Sequence, residues 1–199
     1  MKKIKLFFAL FAMLALGVGN AWGAGNYVKV TTAPSDWSGD YLIVYEDGKL
    51  AFNGALSTLD AVSNTVGVTI SNNQIAATDD INKAKFTINA EGHVKSASGY
   101  YIGQTSNANG LKSSTTQAYT NTLTINSDAS VNIVSGGAYL RYNSASNQAR
   151  FRYYKSSSYS SQKAIHLYKY VEEQSGGSTE TVVSLLPKFI YFWCSLFAG

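Results

Sequence analysis

The stretch Phe86-Thr87-Ile88-Asn89-Ala90-Glu91 is echoed further on by Leu123-Thr124-Ile125-Asn126-Ser127-Asp128. The first copy continues through Val94, Ser98, Gly99, Tyr101 and Ile102. The second continues through Val131, Ser135, Gly136, Tyr139 and Leu140. Leu111 and Phe151 extend the match. Apolar positions and turn residues recur together with a period of about 40 residues, which marks a repeated architecture. Such a repeat argues for a fold and is silent about chemistry.

Working outward, each copy reads as short β-rich runs separated by turns such as Glu91-Gly92, Ser98-Gly99 and Gly136-Gly137. Upstream, Asn26 to Thr32 alternates as a lead-in strand. Tyr41 to Tyr45 is a strong strand closed by Glu46-Asp47-Gly48, a turn of the Asp-Gly hairpin kind. Lys49 to Asn53 returns, Ala55 to Asn64 is looser, and Val66 to Ser71 alternates again. Gln74 to Ala77 can add a short strand and Asp79 to Lys83 one helical turn. Downstream, Arg150 to Lys155 is a strand, Ser156 to Ser161 a serine-rich turn, and Lys163 to Tyr170 the closing strand.

Counted in fours, the expected core is twelve short strands in three pseudo-repeats. The first set is Tyr41–Val44, Leu50–Phe52, Val66–Ile70 and Phe86–Ile88. The second is Val94–Ser96, Tyr101–Gly103, Leu111–Ser113 and Leu123–Ile125. The third is Val131–Val134, Tyr139–Tyr142, Phe151–Tyr153 and Ile165–Tyr168.

With Tyr41-Leu42-Ile43-Val44, Gly48, the returns Gly99-Tyr100-Tyr101-Ile102-Gly103 and Gly137-Ala138-Tyr139-Leu140, and the triplication, the chain resembles the β-trefoil superfamily. Its ricin-B-like modules are the nearest in layout, and the likeness covers Tyr41 to Tyr170. The resemblance implies an all-β trefoil in which six strands close a short barrel and three hairpins cap it. The Gln-x-Trp signature of those lectins is absent, because no Trp lies between Trp37 and Trp193. Their sugar-binding residues therefore do not carry over. The chain is also similar to uncharacterised repeat modules of secreted proteins of gut bacteria. A β-sandwich is the competing fold.

The flanks differ in kind from this body. Lys2, Lys3 and Lys5 precede an apolar run from Leu6 to Val18, and Ala21-Trp22-Gly23 offers small residues at a cleavage site. Residues 1–24 thus read as a signal peptide, sending the domain out of the cell, into a periplasm or onto the cell surface. The run is short of the about 20 residues that a membrane anchor needs. Residues 172–181 read as a Gly/Ser/Thr linker. Residues 182–199 form a hydrophobic tail interrupted by Pro187 and Lys188. That tail reads as the junction to a lost further domain, as a poor anchor, or as a segment packed on the domain, and not as a stable membrane span. Cys194 is the only cysteine, so no disulfide framework holds the domain.

Removal of the leader takes three lysines from a chain of formal net charge +4 and leaves it near neutral. The remaining cations are uneven. Between Arg141 and Tyr170 stand Arg141, Arg150, Arg152, Lys155, Lys163 and Lys169, with no acidic residue among them. By alternation, Arg150, Arg152 and Tyr154 share one face of their strand, opposite Phe151 and Tyr153. Arg141 and Asn143 face away from Leu140 and Tyr142. If Phe151 is core, then Arg141, Asn143, Arg150, Arg152 and Tyr154 form an outward face that suits a glycan. It suits polyanions too, including single-stranded nucleic acid. The same residues also suit a solvated strand face.

Nothing in the sequence calls for catalysis, a metal or a cofactor. His93 and His166 are the only histidines, with no nucleophile-elbow pattern near them. The acids Asp40, Glu46, Asp47, Asp60, Asp79, Asp80, Glu91 and Asp128 are expected in turns, as turn chemistry favours. The expectation is a secreted, non-catalytic recognition module that binds carbohydrate. The alternatives are a structural or adhesive spacer within a larger secreted protein, and a polyanion binder.

Overall fold

Alternation between buried and exposed side chains organises the chain into strands and little else. The computed structural model describes residues 25–173. Residues 1–24, read above as a signal peptide, and nearly all of the expected linker and tail lie outside the described residues. The elements are β1 (Asn26–Lys29), β2 (Gly39–Tyr45), β3 (Leu50–Phe52), β4 (Thr65–Gly67), β5 (Gln74–Ala76), α1 (Asp79–Asn82) and β6 (Phe86–Ile88). There follow β7 (Val94–Ser96), β8 (Tyr101–Gly103), β9 (Lys112–Ser114), β10 (Thr122–Ile125), β11 (Val131–Ser135), β12 (Ala138–Asn143), β13 (Arg150–Lys155) and β14 (His166–Val171). A 3₁₀ turn, Tyr159–Ser161, lies between the last two.

The fold is all-β, with two antiparallel sheets of ten and four strands. The larger runs β5-β1-β14-β2-β6-β7-β8-β9, with β3 on β2 and β4 on β3. The smaller is β10-β11-β12-β13. Isolated bridges join the two at Val131–Ile165, Tyr142–Lys163 and Gly110–Tyr153. The Asn121 N–H donates to the Gly92 carbonyl at 2.8 Å. Each of the twelve expected strands has a counterpart, and β1 and β5 are additional. One boundary differs: the run Val66–Ile70 pairs only over Thr65–Gly67, and Val68 turns inward to a separate cluster.

Two apolar clusters explain the sequence pattern. The main core gathers Ile43, Phe52, Phe86, Ile102, Val131, Leu140, Phe151 and Leu167 from every part of the repeat. Phe52 stacks on Phe151 at 5.2 Å between ring centroids and lies 4.7 Å from Phe86. Deleting such a ring costs about 4 kcal/mol. The second cluster holds Tyr27, Leu42, Val44, Val68, Ile75 and Tyr168. It is built by β1 and the excursion from β4 to α1, which the later copies lack. β2 lies between the clusters, with Tyr41 and Ile43 in one and Leu42 and Val44 in the other. That is why it reads as an unbroken apolar run, whereas β6 and β7 alternate.

Local chemistry fits these elements. Gly136 and Gly137 have φ of +57° and +85°, as the two-residue turn between β11 and β12 demands. Thr78 caps α1 by accepting from the Ile81 N–H at 3.3 Å, and Asp79 and Asp80 occupy its first turn.

Candidate functional site

The hairpin β12–β13 carries all five residues singled out from the sequence. Its register pairs Arg141 with Arg152, Asn143 with Arg150 and Tyr139 with Tyr154, so they share one face. The expectation of an open outward face is corrected, because that face is covered in two places.

The first cover is the loop from Ala55 to Asn64. Asn64 is fully buried and behaves like a strand neighbour to β13. Its amide donates to the carbonyls of Leu59 at 2.7 Å and Phe151 at 2.8 Å, and its side-chain oxygen accepts the Phe151 N–H at 2.8 Å. This docking delivers Asp60 to the arginines. Asp60 Oδ2 accepts from Arg152 Nη2 at 2.8 Å and from the Leu111 N–H at 3.3 Å. The Asp60 carbonyl accepts from Arg150 Nη1 at 3.2 Å, and Arg150 also donates to Gln148. The Arg152 and Asp60 side chains keep 24% and 27% exposure.

The second cover is the 3₁₀ turn. Arg141 is 5% exposed and donates to the carbonyls of Val131 at 3.3 Å and Leu140 at 2.9 Å, and to Asn132 Oδ1. Its guanidinium lies 5.0 Å from the Tyr159 ring and 5.7 Å from the Tyr139 ring. Those two rings stack at 3.9 Å. Burial pushes the Arg141 pKa down, opposed by Tyr159, Tyr139 and Asp128. Tyr154 is also 5% exposed. Burial pushes its phenol up, opposed by a hydrogen bond with Asn143 and by Arg152 and Arg150. Arg141 and Tyr154 are therefore framework residues of this face, while Asn143, Arg150, Arg152 and Asp60 remain partly open on it.

A carboxylate, two guanidinium groups and an amide held in fixed geometry offer both acceptors and donors. That is the equipment for reading a hydroxyl pattern. Asp60 also offsets part of the positive charge, which weakens the attraction of this face for polyanions.

A second ionisable cluster lies where β1, β2 and β14 adjoin. Glu46 takes Lys29 Nζ at 2.8 Å and the Tyr168 hydroxyl at 2.6 Å, with His166 Nδ1 at 3.5 Å. Burial acts to raise the Glu46 pKa, but hydrogen bonds from Lys29 and Tyr168, with the charges of His166 and Lys29, hold it below the usual value. Burial pushes His166 down, with Glu46 opposing. Tyr45, Asp47, Lys163 and Ala164 complete a shallow cleft beside it. His93 is elsewhere, with Nδ1 2.8 Å from the Tyr119 carbonyl. Among the described residues, no three His, Cys, Asp or Glu side chains are grouped to hold a metal ion. Among the same residues, no helix is long and apolar enough to cross a membrane.

The sequence did not single out Asp60 or Asn64. No local pattern announces their role, because Asp60 meets an arginine 92 positions away. Comparison of the chain with protein-family models, curated proteins and solved structures finds no match.

Proposed function

We propose that residues 25–171 form a β-trefoil that works as a secreted, non-catalytic module for recognising carbohydrate. The trefoil reading draws support from the pairing order. β2 pairs with β6 and β6 with β7. The Gly92–Asn121 bond leads from the β7 side to the β10 side, and β10 pairs with β11. The Val131–Ile165 bridge leads from β11 to the β14 side, and β14 pairs back with β2. The strands left over are the hairpins β3–β4, β8–β9 and β12–β13. Six strands in a circuit with three hairpins is the trefoil plan.

The observation that carries the functional reading is the partly open Asp60–Arg152 pair beside Asn143 and Arg150. A neutral sugar presents hydroxyls that both donate and accept, which matches a carboxylate next to guanidinium groups. The polyanion reading is weaker on this face, since Arg141 is enclosed and Arg152 is neutralised. The pairing of Asn26 with Val171 puts the two ends of the domain side by side. That speaks against an end-to-end spacer and suits a pendant module on a longer secreted or surface protein.

The test is a glycan array with the purified protein and with Asp60→Ala and Arg152→Ala. The expected result is binding to a neutral glycan class that survives 0.5 M salt, where the Debye length is only about 4 Å, and is lost in both variants. Binding that neither substitution weakens would overturn this site.

A further inference from the structure

The strand register places a second aromatic and cationic surface on the ten-stranded sheet. Asp40 on β2 pairs with Thr87 on β6, Thr87 with Lys95 on β7, Lys95 with Tyr101 on β8, and Tyr101 with Ser114 on β9. Paired residues share a face, so this row runs across five strands of the ten-stranded sheet on its outer side. Ile88, Val94 and Ile102 take the opposite side and are buried in the main core. Gly103 and its partner Lys112 belong to the outer face, two residues along from Tyr101 and Ser114.

Gly103 explains how a further aromatic reaches this face. A side chain there would come within 2.3 Å of Tyr119 Cβ, so the missing side chain lets the Tyr119 segment lie directly on β8. The Tyr119 carbonyl meets His93 Nδ1 at 2.8 Å. A carbonyl only accepts, so Nδ1 carries the proton. The His93 ring stands edge-on to Tyr101, at 6.2 Å and 83°. Lys95 Nζ lies 5.3 Å over the Tyr101 ring.

The charges differ from those on β13. Among the described residues, neither Lys95 nor Lys112 has a carboxylate within ion-pair distance. Lys112 donates to Thr105 Oγ1 at 2.8 Å, and Asp40 is engaged by Lys85 at 2.6 Å. Lys95 is exposed and its cover over Tyr101 is a flexible side chain, so a ligand can displace it at small cost.

We propose that this face, built on Tyr101, Lys95 and Lys112 with His93 and Tyr119 beside them, binds an acidic saccharide, one carrying carboxylate or sulfate groups. The tyrosine offers an apolar plane for a sugar ring. The two lysines meet its anionic groups, and Thr87, Ser114 and Thr105 supply hydroxyls at the edges. Two open cations match a short oligosaccharide. A nucleic-acid track needs a longer run of phosphate contacts. This site does not depend on the Asp60 face.

The test is calorimetric titration of the purified full chain with a heparin-derived hexasaccharide and with tetragalacturonate. Tyr101→Ala is expected to weaken binding of at least one probe about tenfold, or about 1.4 kcal/mol, and Lys95→Ala about fivefold, or about 1 kcal/mol. Arg152→Ala is expected to change it less than about twofold. Lys95→Glu, on an exposed side chain, gives a second variant whose folding is not at risk, and it should weaken binding further than Lys95→Ala. Affinity should fall as salt rises. The proposal is overturned if neither probe binds. It is overturned equally if Lys95→Glu and Tyr101→Ala bind like the parent, if Arg152→Ala weakens binding as much as they do, or if a single-stranded oligonucleotide binds more tightly through the same residues.

Discussion

Strands β7–β9 and the hairpin β12–β13 carry similar mixtures of cations and tyrosines, and the fold uses them in opposite ways. On β12–β13 the arginines are engaged, Arg141 by carbonyls and two tyrosine rings and the partly open Arg152 by Asp60, while Lys155 at the end of β13 stays exposed. On β7–β9 the cations are lysines, and they stay in solvent. Arginine has a planar fork with five donors and a weakly hydrated charge, so it tolerates enclosure. Lysine is strongly hydrated and is rarely buried unpaired. Local charge density along the sequence is therefore a poor guide to open positive surface, and the kind of cation is a better one.

Substitutions can break this contrast, and the largest effect is expected at Asn64. Asn64→Ala leaves the Phe151 N–H and two carbonyls unpaired in the interior and should cost about 3 kcal/mol in urea unfolding. It also releases Asp60 from the arginines. Next comes Arg141→Ala, expected to lose about 2 kcal/mol through the same mechanism and the lost ring contacts. Arg141→Lys should recover less than half of that, because a point ammonium cannot serve the same carbonyls and Asn132 together. Asp60→Ala is a sharper probe of charge. Stability should fall only about 1 kcal/mol, given the pair's partial exposure. Binding of a sulfated saccharide should rise, since Arg152 is then free and the β12–β13 face behaves like the β7–β9 face. At the small end, Lys95→Ala should leave stability within about 0.5 kcal/mol of the parent, because it removes only a solvated side chain.

The Glu46 cluster adds a pH effect of its own. His166 is held below its ordinary 6.5 by burial, so the unfolded chain binds the proton more readily than the folded one. Stability is full above pH 6.5 and declines as the pH falls through the folded value. Glu46 is held below its ordinary 4.5, against burial, by Lys29 and Tyr168, so its contribution is lost in a second, more acid step. Melting temperatures between pH 7.5 and 5 should therefore fall, and His166→Asn should flatten that first decline. An unchanged slope in His166→Asn would assign it to other groups.

Much of the architecture was legible in the chain. The matched copies announce strands β6 to β13, and Gly136-Gly137 announces its turn, because alternation and turn chemistry are local properties. The second apolar cluster was not legible. Val68 and Ile75 look like ordinary strand residues, and only the docking of β1 on β14 and β5 gives them a shared interior. The site was half legible. Alternation assigned Arg150, Arg152 and Tyr154 to one face, as the register has it. What covers that face could not be read, since Asp60, Asn64 and Tyr159 arrive from segments whose approach is decided by packing. The face around Tyr101 was overlooked for the converse reason. Its lysines are few and scattered in sequence, and only the register lines them up.

The most direct test of this division is residue-by-residue chemical-shift mapping on one ¹⁵N-labelled sample. A neutral oligosaccharide chosen from the array and the heparin-derived hexasaccharide would be titrated separately. The account predicts that the neutral ligand moves the amides of Asp60, Asn143 and Arg150 to Tyr154, and that the acidic one moves those of His93 to Lys95, Tyr101 and Lys112. If both ligands move the same set of amides, or move neither set, the two faces do not divide the work between them and the account is contradicted.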